Sequence, residues 1–107
     1  MTYNCNITQK EGKYLVQFPD VPNAITLGFT HEEALFMAGD VLNGILASHL
    51  DNGYPIDEPK YSGGYPIEVS PKVAFAIELR KARANHSQKE VAAKAGMTYQ
   101  QYQRLEN

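Results

Sequence analysis

The sequence has few of the features that disulfides, metal centres or membrane spans require. Cys5 is the only cysteine among 107 residues, which rules out an internal disulfide and a cysteine-rich metal site. No apolar run approaches the ~20 residues that a transmembrane helix needs. The N-terminus has no basic segment followed by an apolar stretch, so no secretory signal is predicted. We therefore expect a soluble, cytoplasmic protein without a membrane partner.

The net charge is only −2, but it is unevenly distributed. Residues 1–70 carry three lysines against nine acidic residues, a net charge of −6, whereas residues 71–107 have a net charge of +4. An acidic front half and a basic back half suggest two modules, of which the basic one is better suited to bind a polyanion. A chain of this length allows one ordinary domain or two small ones.

The first 29 residues predict three antiparallel strands. Residues 3–7, 14–18 and 24–29 alternate in polarity, which is the period of a half-buried strand. Gly12 lies in the hairpin connection between the first two strands. The side chains predicted to share one face of their strand are Tyr3, Cys5 and Ile7, then Tyr14, Val16 and Phe18, and finally Ile25, Leu27 and Phe29.

A long amphipathic helix follows the strands. Thr30 and Glu33 have the spacing of a capping box at its start, and the apolar periodicity continues to about Leu50. The apolar stripe consists of Ala34, Leu35, Ala38, Val41, Leu42, Ile45, Leu46 and His49. A stripe at this spacing predicts that the helix covers the apolar face of the sheet.

The rest of the front half predicts a loop and a return to the sheet. Residues 51–66 are rich in Pro, Gly and Tyr, and residues 67–69 form a short β-branched segment that suits a fourth strand. Ser70 and Pro71 then fit the first positions of a helix that runs to about Ala84. The predicted class is α+β, with a β-β-β-α-β domain over residues 1–70 and a small all-α domain over residues 71–107.

The back half contains a helix-turn-helix pattern over residues 87–107. Ser87 and Glu90 form a second capping box, Gly96 suits the left-handed position that ends a helix, and Thr98 caps the next helix. Two short helices joined in this way place one of them in the major groove of DNA. The alternative is a helical hairpin that only packs or dimerises.

This back half resembles the phage-repressor-like helix-turn-helix family. The likeness lies in Ser87-Gln88, Glu90-Val91-Ala92, Ala95-Gly96-Met97-Thr98 and Arg104-Leu105-Glu106-Asn107. The resemblance, together with the bidentate bonding of Gln and Arg to base edges, predicts DNA contacts at Gln88, Thr98, Tyr99, Gln100, Gln101 and Arg104. It also implies an arginine paired with Glu106, for which Arg80 and Arg83 both qualify. The sequence stops at Asn107, before the further helices expected of that family, so we expect a partner chain or additional residues to complete the unit.

The front half resembles HicB-type antitoxins. The likeness lies in the run Gly12-Lys13-Tyr14-Leu15-Val16-Gln17-Phe18-Pro19-Asp20-Val21-Pro22 and in Ala24, Gly28, Thr30 and Glu33-Ala34. It implies a partial RNase H-like fold, neutralisation of a HicA-type toxin that cleaves mRNA, and repression of the shared operon through operator DNA. It also implies a binding protein without catalysis or a cofactor. A homodimer or higher oligomer is expected, because one small helix-turn-helix makes too few base contacts.

Two alternatives remain open for the front half. In the first, the chain is a stand-alone helix-turn-helix regulator whose front domain senses a ligand or dimerises. In the second, it is a metal-dependent nuclease. Nuclease chemistry of the RNase H type needs carboxylates that converge on metal ions, and Asp20, Asp40 and Asp51 have no evident common focus. Asp20 is instead expected to cap the turn formed by Pro19 and Pro22.

Three tyrosines lie in or beside the predicted loop. Tyr54, Tyr61 and Tyr65 either pack back on the sheet or contact the toxin, since Tyr is enriched in protein interfaces.

Overall fold

Four strands and two helices form the described part of the chain, which comprises residues 1–83 of a computed structural model. In chain order these are β1 (Thr2–Lys10), β2 (Lys13–Gln17), β3 (Ile25–Gly28), α1 (His31–Asn52), β4 (Tyr65–Glu68) and α2 (Pro71–Arg83). The predicted α+β class and the β-β-β-α-β order of the front half are confirmed. Neither helix in this part is long and apolar enough to cross a membrane.

The strands form one antiparallel sheet in the order β3-β2-β1-β4. The β1–β2 hairpin closes with Lys10 opposite Lys13, and both turn residues, Glu11 and Gly12, have positive φ angles of 52° and 76°. Such angles are those of the two-residue turns that match the twist of a hairpin. The predicted meander is therefore confirmed, and β4 returns along the free edge of β1.

Helix α1 covers one face of the sheet and begins with the predicted capping interaction. The Glu33 amide donates to Thr30 Oγ1 at 3.0 Å. The Glu33 carboxylate accepts from the Phe29 amide at 3.3 Å, whereas in a capping box it would accept from the Thr30 amide. The fully covered stripe of the helix is Ala34, Ala38, Leu42, Leu46 and Leu50. These residues form a single core with Tyr3, Cys5, Val16 and Phe18.

The apolar side chains of β3 share one face of the strand, as predicted, but this is not the face that α1 covers, as the predicted packing of the helix on the apolar face implied. Ile25 and Leu27 are 52% and 40% exposed, whereas Ala24 and Gly28 are buried. The reason is the close approach of α1, because a Cβ atom on Gly28 would lie only 2.5 Å from the Ala34 amide nitrogen. Only the smallest side chains fit between β3 and the first turn of the helix, so the larger ones face outward.

Helix α2 packs into the core of the front module. It begins as predicted at Pro71, with the Val73 amide 3.5 Å from Ser70 Oγ. Ala76 and Ile77 are buried in the same core as the α1 stripe, and Ile77 is 2% exposed. The helix that leads into the back half is thus held by the front half.

Candidate partner-binding surface

The segment of residues 53–64, which joins α1 to β4, is fixed in place along its length. It starts where Gly53 ends α1 in the left-handed conformation (φ 69°). The Tyr54 amide then donates to the His49 carbonyl at 2.9 Å. This segment has no helix or strand, so its shape depends on side chains from the rest of the fold.

Asp20 provides one of these attachments. Its Oδ2 atom accepts from the backbone amides of Tyr61 at 2.6 Å and Lys60 at 2.8 Å. These two bonds, that from Tyr61 first, hold the pKa of the Asp20 carboxyl below its usual range. The prediction that Asp20 caps its own turn was wrong. That turn is closed by backbone bonds such as Val21 amide to Phe18 carbonyl, so the carboxylate is available to the segment across from it.

Strand β1 provides three more attachments. Asn4 Nδ2 donates to the Gly63 carbonyl at 2.9 Å, and the Tyr61 hydroxyl donates to Asn6 Oδ1 at 2.6 Å. The hydroxyl of the fully buried Tyr3 donates to the Asp57 carbonyl at 2.5 Å. Burial, followed by the nearby Glu58 carboxylate, raises the pKa of Tyr3. The segment therefore contacts β1 side chains on both faces of the sheet.

Helix α2 holds the same segment from the other side. The Arg80 guanidinium donates to the carbonyls of His49 and Tyr54, which lie at the C-terminal end of α1. Lys81 Nζ lies 2.6 Å from a carboxylate oxygen of Glu58, and this contact is the main cause of its raised pKa. Arg80 is thus engaged within the front module. Glu106, its possible partner in the helix-turn-helix, lies outside residues 1–83.

The three tyrosines suggested as toxin contacts are not brought together. The Tyr54 ring is 5.9 Å from that of His49, and the Tyr65 ring is 5.0 Å from that of His31. These histidines are 18 residues apart on α1, which corresponds to about 27 Å. Tyr54 and Tyr65 are 54% and 40% exposed. They therefore lie near opposite ends of the helix and do not form one patch.

An apolar patch that was not predicted from the sequence lies on the outer face of the sheet. Leu15 and Leu27 are directly opposed across β2 and β3, and Ile25 lies two residues from Leu27 on the same face. All three are at least 40% exposed. The sequence could have indicated this patch. Neighbouring residues in a strand point to opposite faces, so apolar residues at successive positions of β2 and β3 cannot all face the core.

The carboxylates considered for a nuclease do not converge. Asp20 is bound to the 53–64 segment. Asp40 and Asp51 are eleven residues apart on α1, or about 16 Å along its axis. Within residues 1–83, no group of three His, Cys, Asp or Glu side chains has the arrangement of a metal site.

The residues predicted to contact DNA all lie beyond Arg83, outside the described residues. They are Gln88, Thr98, Tyr99, Gln100, Gln101 and Arg104. The placement of these side chains therefore stays a prediction.

Comparison with known sequences adds two family matches. The sequence model of HicB-like antitoxins of bacterial toxin–antitoxin systems matches residues 2–78. A helix-turn-helix model matches residues 77–107. The boundary between the two matches falls within α2, the helix that packs into the front core.

Several curated proteins are similar over nearly the whole chain. Antitoxin HicB 2 of Photorhabdus laumondii is 32% identical over 107 residues, which covers 98% of this chain and 77% of the relative. Antitoxin HicB 1 of the same organism is 34% identical over 98 residues, covering 90% of this chain and 63% of that relative. Antitoxin HicB of Escherichia coli K12 is 33% identical over 112 residues, covering all of this chain and 81% of that relative.

Proposed function

Because this chain belongs to the HicB-like antitoxin family, we propose that it binds and neutralises a HicA-type mRNA interferase and represses their shared operon through operator DNA. The observation that carries the proposal is the presence of both family matches, HicB-like over residues 2–78 and helix-turn-helix over residues 77–107, in one chain. A front module that binds protein and a basic back module that binds DNA account for the uneven charge.

The charge of the front module supports the proposed toxin binding. Residues 1–70 have a net charge of −6, and a field of this sign attracts a basic protein and speeds its encounter. The association rate should therefore fall as salt is raised. An association rate that is independent of salt would contradict this electrostatic component.

The proposed DNA binding depends on the back module. Residues 71–107 have a net charge of +4, the sign that contact with DNA phosphates requires. We propose that Gln88, Thr98, Tyr99, Gln100, Gln101 and Arg104 contact the operator. We also propose a homodimer or higher oligomer, because paired units read two half-sites about one helical turn apart.

We also propose that the β-β-β-α-β front module is a partial RNase H-like fold, which the element order and the four-stranded sheet support. The protein is further proposed to act in the cytoplasm without catalysis. Asp20 serves as a structural acceptor for the 53–64 segment, and Asp40 and Asp51 lie about 16 Å apart along α1, which favours binding over nuclease chemistry.

The experiment is co-expression of the full chain with the reading frame beside its gene, followed by purification through a tag on one partner. A stable complex with a small basic protein is expected. A chain that purifies alone yet binds its promoter would instead support a stand-alone regulator. Magnesium-dependent RNA cleavage by the purified chain would support the nuclease alternative.

A further inference from the structure

A cavity of about 320 Å³ opens between four elements of the front module. Its walls include Val21 from the β2–β3 connection, Leu46 from α1 and Ile56 from the 53–64 segment. The fully buried Tyr3 of β1 also lines it. Ligand pockets range over ~300–1,000 Å³, so this cavity is at the lower end and suits a single inserted side chain.

Two acidic residues and one histidine line the same cavity. Asp20 and Asp57 belong to the connections on either side of it, and His49 comes from the last turns of α1. Both bonds from the 53–64 segment to Asp20 go to Oδ2, which leaves Oδ1 for another donor. Asp57 accepts the Tyr3 hydrogen bond with its main-chain carbonyl, so the carboxylate of this exposed residue takes no part in that bond.

The electrostatic setting of the cavity is negative. Burial is the first cause of the raised pKa of Tyr3, and Glu58, Asp20 and Asp57 raise it further while Lys81 opposes them. The whole front module has a net charge of −6. An anion would be repelled here. A cation with an aliphatic stem matches both the apolar walls and the carboxylates.

From these features we infer that the cavity between α1, the β2–β3 connection and the 53–64 segment receives an arginine side chain of the basic partner protein. The guanidinium donates to Asp57 and Asp20, and its methylene stem packs against Val21, Leu46 and Ile56. Arginine fits better than lysine because its planar fork matches carboxylate geometry. A buried arginine of this kind is a common hot spot of protein interfaces. This inference rests on the proposed toxin-binding function.

The first test examines the cavity without the toxin. N-acetyl-arginine amide is titrated into the full-length protein, with N-acetyl-glutamine amide as the uncharged control, and NMR shifts of His49 and Ile56 are followed. Saturable shifts with the arginine compound only are expected. Asp57→Asn should weaken this binding several-fold, whereas Asp51→Asn, an equal charge change on α1 outside the cavity, should leave it unchanged. Equal shifts with both compounds, no saturation, or no effect of Asp57→Asn would overturn the inference.

The second test uses the complex with the co-expressed HicA-type toxin. Asp57→Lys should lower the affinity at least tenfold, against less than twofold for the control Asp51→Lys. Circular dichroism of each variant checks that the fold is kept. A toxin that binds wild type and Asp57→Lys equally would overturn the cavity assignment and leave the proposed function standing. The absence of any complex with the wild-type chain would instead overturn the proposed function, and the inference with it.

Discussion

The packing of α2 into the front core makes a quantitative prediction for Ile77. This side chain is 2% exposed and lies in the same core as the α1 stripe. Replacing it with alanine removes three buried carbon atoms, a loss of about 2.4 kcal/mol at ~0.8 kcal/mol per methylene. The cavity left behind adds to this, so the expected loss of unfolding free energy is about 3 kcal/mol.

Urea denaturation of the full chain measures this loss. The near-UV circular dichroism of tyrosine is the suitable signal, because five of the seven tyrosines lie in residues 1–70 and the chain has no tryptophan. With a urea dependence of about 1.5 kcal/mol per molar, Ile77→Ala should lower the midpoint by about 2 M. Phe75→Ala is the matched control, since Phe75 lies on the same helix and is 51% exposed. Its effect should stay below about 1 kcal/mol.

The result for Ile77→Ala also bears on the division between the modules. An unchanged midpoint would mean that α2 does not stabilise the front module, and a boundary after residue 70 would then separate two independent units. Equal shifts in Ile77→Ala and Phe75→Ala would mean that helix propensity, and not burial, determines the effect.

Three further predictions concern single positions. Hydrogen bonds lower the pKa of the Asp20 carboxyl in the folded protein. The contribution of this carboxylate to folding stability is therefore present above its unfolded-state pKa of about 3.9, and it is lost as pH falls through the lower folded-state pKa. The difference in urea midpoint between wild type and Asp20→Asn should therefore shrink between neutral pH and about pH 3. Gly28→Ala should destabilise by about 1–3 kcal/mol through overlap with α1, whereas Gly44→Ala, at an open helix position, should stabilise by up to about 1 kcal/mol in thermal unfolding. Gln100→Ala and Arg104→Ala should each weaken operator binding by about 1–3 kcal/mol in fluorescence anisotropy and leave toxin neutralisation intact. Loss of both activities together would indicate misfolding, or a back module that contributes to the toxin site.

Local signals predicted much of the front module. The alternation around Cys5 and Val16, the capping pair Thr30 and Glu33, and the Ser70-Pro71 helix start all depend on residues a few positions apart. Such signals depend on backbone geometry that neighbouring residues determine. For this reason the strands β1 and β2 and both helices appear where the sequence places them.

Long-range relations were not predictable in the same way. The covered face of β3 depends on how closely α1 approaches Gly28, and alternation alone cannot choose between two faces. The partners of Asp20 lie 40 and 41 residues away, so the sequence suggested only a local turn or a nuclease site for it. The cavity of Asp57 likewise requires four elements that only the folded chain brings together.

The most direct test of the account is a titration of toxin activity. The protein encoded beside this gene, which we propose is a HicA-type toxin, is purified, its cleavage of RNA is measured, and the full-length chain is added in increasing amounts. We predict that cleavage falls to zero near a fixed stoichiometric ratio, and that Arg104→Ala inhibits as well as wild type. Cleavage that continues in the presence of excess chain would contradict the assignment of this protein as the antitoxin of that toxin.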